Sequence, residues 1–160
     1  MEYQLFVDLD GVLCDFDRAV SALFGRPPKD LQPREMWSRL AHTPGFYTNL
    51  PWMPDGHELW NFVRPLQPTI LTGLPRGTWA EPQKREWCRR ELGENVPVIT
   101  CMAREKTEKA KAAVHPGQRM ILIDDRESNG ERWEAEGGIF ILHESASKSI
   151  QALRALGLGE

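Results

Sequence analysis

The sequence predicts an α/β fold, in which a parallel sheet of about five strands carries helices on both faces. Short apolar runs alternate along the chain with segments of helical composition, and this order is typical of a parallel sheet. Two of the apolar runs end directly on carboxylates, as strands do at the edge of an open α/β sheet where ligands bind. The length of 160 residues suits a single domain, 1–160, with a substantial core.

The first predicted strand, residues 4–7, is followed by two aspartates, Asp8 and Asp10. Their side chains should face the same crevice where the strand ends, and Gly11 lets the backbone turn sharply after them. Carboxylates so close together repel each other, so the pair indicates a divalent cation or a shared proton. Taken alone, the pair is equally consistent with an acidic turn after a strand.

A helix is predicted next, because apolar residues recur at helical spacing and a glycine ends them: Phe16, Val20, Leu23, Phe24 and Gly25. From about residue 26 to 54, prolines interrupt a segment that is still rich in aromatic residues. This segment is interpreted as a small cap inserted after the first strand and helix, with one short helix from Pro33 to Ala41. The alternative is an irregular excursion that packs on the edge of the sheet.

The rest of the chain alternates strands and helices, which predicts a Rossmann-like sheet. Further strands are expected at residues 68–71, 96–100, 119–123 and 139–142, and helices at residues 55–64, 80–92, 106–114, 129–136 and 147–156.

Composition limits the partners and the location. A net charge of -3, with basic residues spread along the chain, argues against stable nucleic-acid binding and against a membrane surface. The three cysteines, Cys14, Cys88 and Cys101, lack the spacing of a metal site and suit a reducing cytosol, so a cytoplasmic location is expected. No signal peptide fits ahead of the first strand, and no apolar run is long enough to span a bilayer. The sequence leaves open whether the protein forms a homodimer.

Polar groups at three strand ends are suited to one phosphate site. The first strand supplies the aspartate pair described above. The second ends on Thr72 and Gly73, whose hydroxyl and backbone N–H could hold phosphoryl oxygens. The fourth ends on Asp124 and Asp125. Oxygen ligands from separate strands suit Mg²⁺, which takes one or two carboxylates, waters and a substrate phosphate.

Such an acidic site also needs a fixed cation. Lys106 is the preferred candidate, because it follows the third strand and precedes the strand that ends on the second aspartate pair. Lys109 and Lys111, and for the most part Lys84, are interpreted as solvated helix faces. The four histidines fall in loops or at helix ends and are expected to face solvent: His42, His57, His115 and His143.

In order along the chain, these groups resemble the four motifs of the haloacid-dehalogenase (HAD) superfamily of phosphotransferases. The run from Asp8 to Leu13 matches the first motif, and Thr72, Lys106 and the pair Asp124 and Asp125 match the other three. The resemblance implies a HAD-like domain that hydrolyses phosphomonoesters through an aspartyl-phosphate. Asp8 would be the nucleophile and Asp10 the general acid/base. Mg²⁺ would lie on Asp8, the backbone carbonyl of Asp10, and the Asp124–Asp125 pair.

Weaker matches resemble the 5'(3')-deoxyribonucleotidase subgroup, among them the residues 14–16 and 104–107. Three departures accompany them. Glu105 replaces the aspartate of the subgroup's Arg-Asp-Lys-Thr run, Gly73 stands where the subgroup has serine, and the segment between Asp10 and Thr72 is shorter. Phe16 and Trp37 match aromatic positions that contact the base in this subgroup.

The resemblance and the aromatic cap together predict a nucleotidase that acts on (deoxy)nucleoside 5'-monophosphates. Aromatic faces stack on bases, which assigns substrate contacts to Phe16, Trp37 and Tyr47, and Arg126 could steer the anionic substrate. The same chemistry on another small phosphate ester, or on a nucleic-acid phosphate end, is the first alternative. A non-catalytic metal- and nucleotide-binding module is the second.

Overall fold

A computed structural model of the chain describes residues 2–159 and contains one five-stranded sheet. The strands run in the order β3-β2-β1-β4-β5, and all neighbouring pairs are parallel. The predicted α/β class and parallel sheet are therefore confirmed. The strands are β1 (Tyr3–Val7), β2 (Thr69–Gly73), β3 (Val98–Cys101), β4 (Arg119–Asp124) and β5 (Ile139–Leu142).

Seven α-helices occur in the described residues, and each lies where the sequence pattern places one. They are α1 (Phe16–Phe24), α2 (Pro33–Ala41), α3 (Gly56–Val63), α4 (Ala80–Glu91), α5 (Lys106–Ala113), α6 (Ser128–Ala135) and α7 (Ala146–Ala155). None of the helices in residues 2–159 is long and apolar enough to cross a membrane.

The alternation of side chains along β1 divides the core between the two faces of the sheet. Leu5 and Val7 belong to the larger buried cluster, which α1, α3, α4 and α7 complete. Phe6 points to the other face and meets Trp133 of α6 edge-on, with 5.7 Å between ring centroids. Helices therefore cover both faces, and the functional groups can only emerge at the carboxyl ends of the strands.

The segment from residue 26 to 54, here called the cap segment, contains α2 and a series of turns. Side chains of α4 hold its backbone: Gln83 accepts the N–H of Tyr47 (2.8 Å), and Trp87 donates to the carbonyl of Leu50 (2.9 Å). The backbone of Asp15 donates to the carbonyl of Pro51 (2.8 Å). These contacts attach the cap segment to the body of the domain.

Candidate active site

The carboxyl ends of the strands and the cap segment enclose a cavity of about 650 Å³. Most of the predicted site residues line it: Asp8, Asp10, Phe16, Trp37, Tyr47, Gly73, Lys106, Asp125 and Arg126. Two further predicted residues, Thr72 and Asp124, lie just behind its wall and are fully buried. The fold thus brings residues separated by more than a hundred positions of sequence to one edge of the sheet.

A carboxylate cluster forms the floor of the cavity. Oxygen atoms of Asp8, Asp124 and Asp125 all lie within 4.8 Å of one another. Asp8 and Asp124 are buried, and Asp125 is exposed. The carboxylate of Asp10 is not part of this cluster. Three hard oxygen donors from two neighbouring strands fit the coordination that Mg²⁺ prefers.

The charge density of this cluster acts on the pKa of its members. Burial raises the pKa of Asp8 to about 8, although Lys106 lowers it, and the carboxylates of Asp124, Asp10 and Asp125 raise it further. Partial burial and the carboxylate of Asp124 raise the pKa of Asp125 to about 6. A divalent cation would favour the ionised form of both groups, so the donor set also fits a metal electrostatically.

Lys106, at the start of α5, supplies the predicted fixed cation. Its Nζ lies 3.1 Å from Asp8 Oδ1 and 2.8 Å from Asp124 Oδ2. Burial opposes the charge on this lysine, but the two carboxylates outweigh burial and raise its pKa. Asp124 also accepts hydrogen bonds from the backbone of Arg126 and from Asn129 Nδ2, both at 2.9 Å. The sequence pattern gave no indication of Asn129.

The prediction that Lys84 lies for the most part on a solvated helix face is wrong, because this lysine is buried in the site. Its side chain is 2% exposed, and its Nζ donates to Asp10 Oδ2 (3.1 Å), Thr72 Oγ1 (2.8 Å) and the carbonyl of Gly73 (2.7 Å). The site therefore holds two buried lysines, one beside each of the two aspartates that follow β1. Lys109 and Lys111 are exposed, as expected.

Comparisons with solved structures identify the fold. A hydrolase from Streptococcus pneumoniae TIGR4 has a TM-score of 0.58 at 14% identity, covering 96% of this chain and 100% of that chain. A HAD-superfamily hydrolase of subfamily IA from Geobacter sulfurreducens PCA has a TM-score of 0.54 at 17% identity, with coverage of 96% and 100%. A HAD phosphatase from Thermococcus onnurineus has a TM-score of 0.52 at 14% identity, covering 99% of each chain. The chain has the HAD-like fold.

No family model matches the chain, and no curated protein matches it. The HAD-like fold accounts for the placement of the first and last motif, because β1 and β4 are neighbours in the sheet and pair from Tyr3 to Val7. That register brings the aspartates after β1 beside the pair after β4.

Aromatic side chains of α1 and the cap segment form the upper wall of the cavity in this HAD-like domain. The ring of Phe16 lies 5.7 Å from that of Trp37 and 6.1 Å from that of Tyr47, measured between centroids. Asp15 and Asp17 also line the cavity. Burial raises the pKa of the Tyr47 phenol, and Asp10 adds to the increase, so its hydroxyl stays protonated. The lining of the cavity beyond the carboxylate cluster thus includes both aromatic and acidic side chains.

His143 is a second correction, because it is buried rather than solvated. It follows β5, donates its backbone N–H to the carbonyl of Asp124 (2.9 Å), and lines the cavity. Its Nδ1 is 2.7 Å from Ser149 Oγ on α7. Burial lowers the pKa of the imidazole, which Asp55 partly offsets, so the ring is neutral at neutral pH. The other three histidines are exposed, as expected.

Proposed function

We propose that this protein is a Mg²⁺-dependent phosphomonoester hydrolase of the HAD type. One observation carries the proposal: Asp8 and Asp10 line the same cavity, with the three-carboxylate cluster and Lys106 beside Asp8. Structural neighbours described as a HAD-superfamily hydrolase and a HAD phosphatase support it. A carboxylate nucleophile, a nearby proton carrier and a cation site are the parts that phosphoryl transfer through an aspartyl-phosphate requires.

The reaction would proceed in two steps. An oxygen of Asp8 attacks phosphorus, the bond from phosphorus to the leaving oxygen breaks, and Asp10 gives its proton to that oxygen. Water then attacks phosphorus and passes a proton to Asp10, while the bond between phosphorus and Asp8 breaks. Inorganic phosphate and free Asp8 result. Gly73 and Lys106 line the cavity, and the backbone N–H of Gly73 and the ammonium group of Lys106 would hold the phosphoryl oxygens.

The metal would be held by Asp8, by Asp125 and by the backbone carbonyl of Asp10. Bound Mg²⁺ would reduce the repulsion between the nucleophile and the phosphate and favour in-line attack. Asp124 would contribute more weakly, because Lys106, Asn129 and the backbone of Arg126 already donate to its two oxygens. The side chain of Asp10 faces Lys84 and would remain free to move a proton.

For the substrate, we propose a (deoxy)nucleoside 5'-monophosphate. Phe16 and Trp37 offer partly exposed aromatic faces in the same cavity as the phosphate site, and base stacking is worth roughly 1–3 kcal/mol per base. Tyr47 lines the cavity but is buried, with its ring stacked on Phe16 and Trp79, so it supports these rings rather than the base. A nucleic-acid phosphate end fits less well, because Asp15 and Asp17 at the cavity wall would repel the next phosphodiester. A purely binding module is also disfavoured, because it has no need of two lysine-paired aspartates.

The test is phosphate release from 5'- and 3'-(deoxy)nucleoside monophosphates, sugar phosphates and a 3'-phosphorylated oligonucleotide, with Mg²⁺ or with EDTA. Asp8→Asn should abolish turnover, and the matched control Asp30→Asn, at an exposed aspartate of the cap segment, should leave it unchanged. Turnover of nucleoside monophosphates that needs Mg²⁺ and Asp8 is the expected result. Turnover of sugar phosphates alone would contradict the nucleotidase assignment, and turnover of nothing would contradict the hydrolase.

A further inference from the structure

Lys84 is buried in the wall of the candidate active site and touches Asp10, the residue to which the proposed function gives the proton transfers. Its Nζ has three hydrogen-bond acceptors, one each from Asp10, Thr72 and Gly73, at 3.1, 2.8 and 2.7 Å. The ring of Tyr47 closes a further side, 4.6 Å from Nζ. An ammonium group has three donors, so this environment uses all of them and fixes the position of Nζ.

The two oxygens of Asp10 differ sharply in their surroundings. Oδ2 accepts the hydrogen bond from Lys84, whereas Oδ1 is buried and has no hydrogen-bond partner among residues 2–159. The side chain of Asp10 is 30% exposed and lines the cavity. Because Oδ1 is buried, Oδ2 is the oxygen that can meet a ligand there.

We propose that Lys84 is a positioning residue that determines which oxygen of Asp10 exchanges the proton. Lys84 Nζ, anchored on Thr72 and the carbonyl of Gly73, fixes Oδ2 at the cavity by its hydrogen bond. Oδ2 is therefore the oxygen that carries the proton to the leaving oxygen and takes one back from water. This inference rests on the proposed phosphatase function and extends it to a residue outside the four motifs. The lysine touches neither phosphate nor metal; it acts through Asp10.

A purely structural role is the competing explanation, since a buried lysine must be paired wherever it occurs. The geometry favours positioning, because all three hydrogen bonds of Nζ go to groups on the phosphate side of the site, and the ring of Tyr47 only closes the remaining side. The two explanations differ in a measurable way. A positioning role affects only the steps in which a proton moves, whereas a structural role affects all substrates alike.

The experiment compares Lys84→Met and Lys84→Arg with wild type on p-nitrophenyl phosphate and on a deoxynucleoside 5'-monophosphate, with Mg²⁺. The p-nitrophenolate group leaves without being protonated, while the 5'-alkoxide needs the proton of Asp10. For Lys84→Met, kcat/KM for the nucleotide should fall about 10²-fold, the lower end of what general acid catalysis contributes. For p-nitrophenyl phosphate, kcat/KM should change little. The kcat of Lys84→Met for p-nitrophenyl phosphate should fall, because the attack of water on the aspartyl-phosphate also needs Asp10. The slow second step should then produce a burst of p-nitrophenol.

Lys84→Arg keeps the charge and should recover part of the loss on the nucleotide. Lys111→Met, at an exposed lysine, is the control. Inhibition by vanadate should be unchanged in Lys84→Met, which shows that the phosphate pocket is folded. Equal losses of kcat/KM on both esters, or no loss on either, would overturn the positioning role while leaving the phosphatase intact. A wild-type protein that hydrolyses neither ester would instead overturn the proposed function, and the role of Lys84 with it.

Discussion

Gly11 packs directly against the carboxylate of Asp125, so closely that a Cβ atom at position 11 would overlap Oδ2 of that aspartate. The backbone of Gly11 also has φ +81°, a conformation that L side chains rarely adopt. Two requirements therefore favour glycine at position 11, in the turn after the first aspartate pair. The turn must bend the chain, and it must leave room for the carboxylate that comes from β4.

Gly11→Ala should displace Asp125 and weaken metal binding. The added methyl group costs about 1–2 kcal/mol through its backbone conformation alone, and more through the collision. Gly25→Ala is the matched control, because Gly25 has φ +77° but nothing within 4 Å of the added carbon. Thermal unfolding should show a loss of stability in both variants. Mg²⁺ titration should show a loss of affinity in Gly11→Ala only, and equal affinities would contradict this account of Gly11.

Lys106→Met should destabilise the protein by about 3–5 kcal/mol, because it leaves the buried carboxylates of Asp8 and Asp124 without their cation. The folded-state pKa of Lys106 is raised, so its stabilising contribution is fully present below the ordinary lysine pKa and is lost only at higher pH. Urea denaturation at neutral pH measures the effect. Lys111→Met, which removes an exposed pair with Glu136, should change stability very little.

Mg²⁺ should stabilise the protein more at pH 8 than at pH 5. Without metal, the raised pKa values of Asp8, about 8, and Asp125, about 6, mean that the folded protein binds protons that the unfolded chain releases. Stability of the metal-free protein should therefore fall as pH rises from about 4 towards 8. Bound metal competes with these protons and removes that loss. Thermal unfolding with Mg²⁺ and with EDTA across this range is the measurement. A Mg²⁺ effect that is independent of pH would contradict the assignment of these carboxylates as ligands.

Trp37→Ala should raise KM for a deoxynucleoside monophosphate about tenfold, since it removes one of the aromatic faces expected to stack on the base. KM for a sugar phosphate should not change. Trp52→Phe is the control, because the indole of Trp52 stacks on His57 and bonds Glu91 outside the cavity. Equal increases in KM for both substrates would mean that Trp37 only supports the cap segment.

The strand ends of this protein can be located from its amino-acid sequence. Buried parallel strands must be continuously apolar, so the change from Val7 to Asp8 and from Ile123 to Asp124 marks where the sheet opens to a ligand. The parallel sheet and the helices on both faces followed from such local signals, and the choice of Lys106 as the fixed cation followed from its order along the chain and from the motif resemblance. The resemblance to the HAD motifs agrees with the fold that was found.

The presence of Lys84 and His143 in the site became clear only from the three-dimensional fold. Lys84 lies one helical turn before Trp87 and Cys88, on the same buried face of α4. This spacing is a signal of burial, but the charge of a lysine side chain favours the prediction that it is solvated. His143 follows the end of β5, the same kind of position that pointed to Asp8.

The physical reason is that burial of a charge depends on a partner that is distant in sequence. A lysine in a helix is solvated unless a carboxylate meets it, and the partner of Lys84 is Asp10, 74 positions away. Periodicity describes which residues share a face, but only the fold, which brings Lys84 of α4 beside Asp10 and the end of β2, gives that lysine a carboxylate to bind.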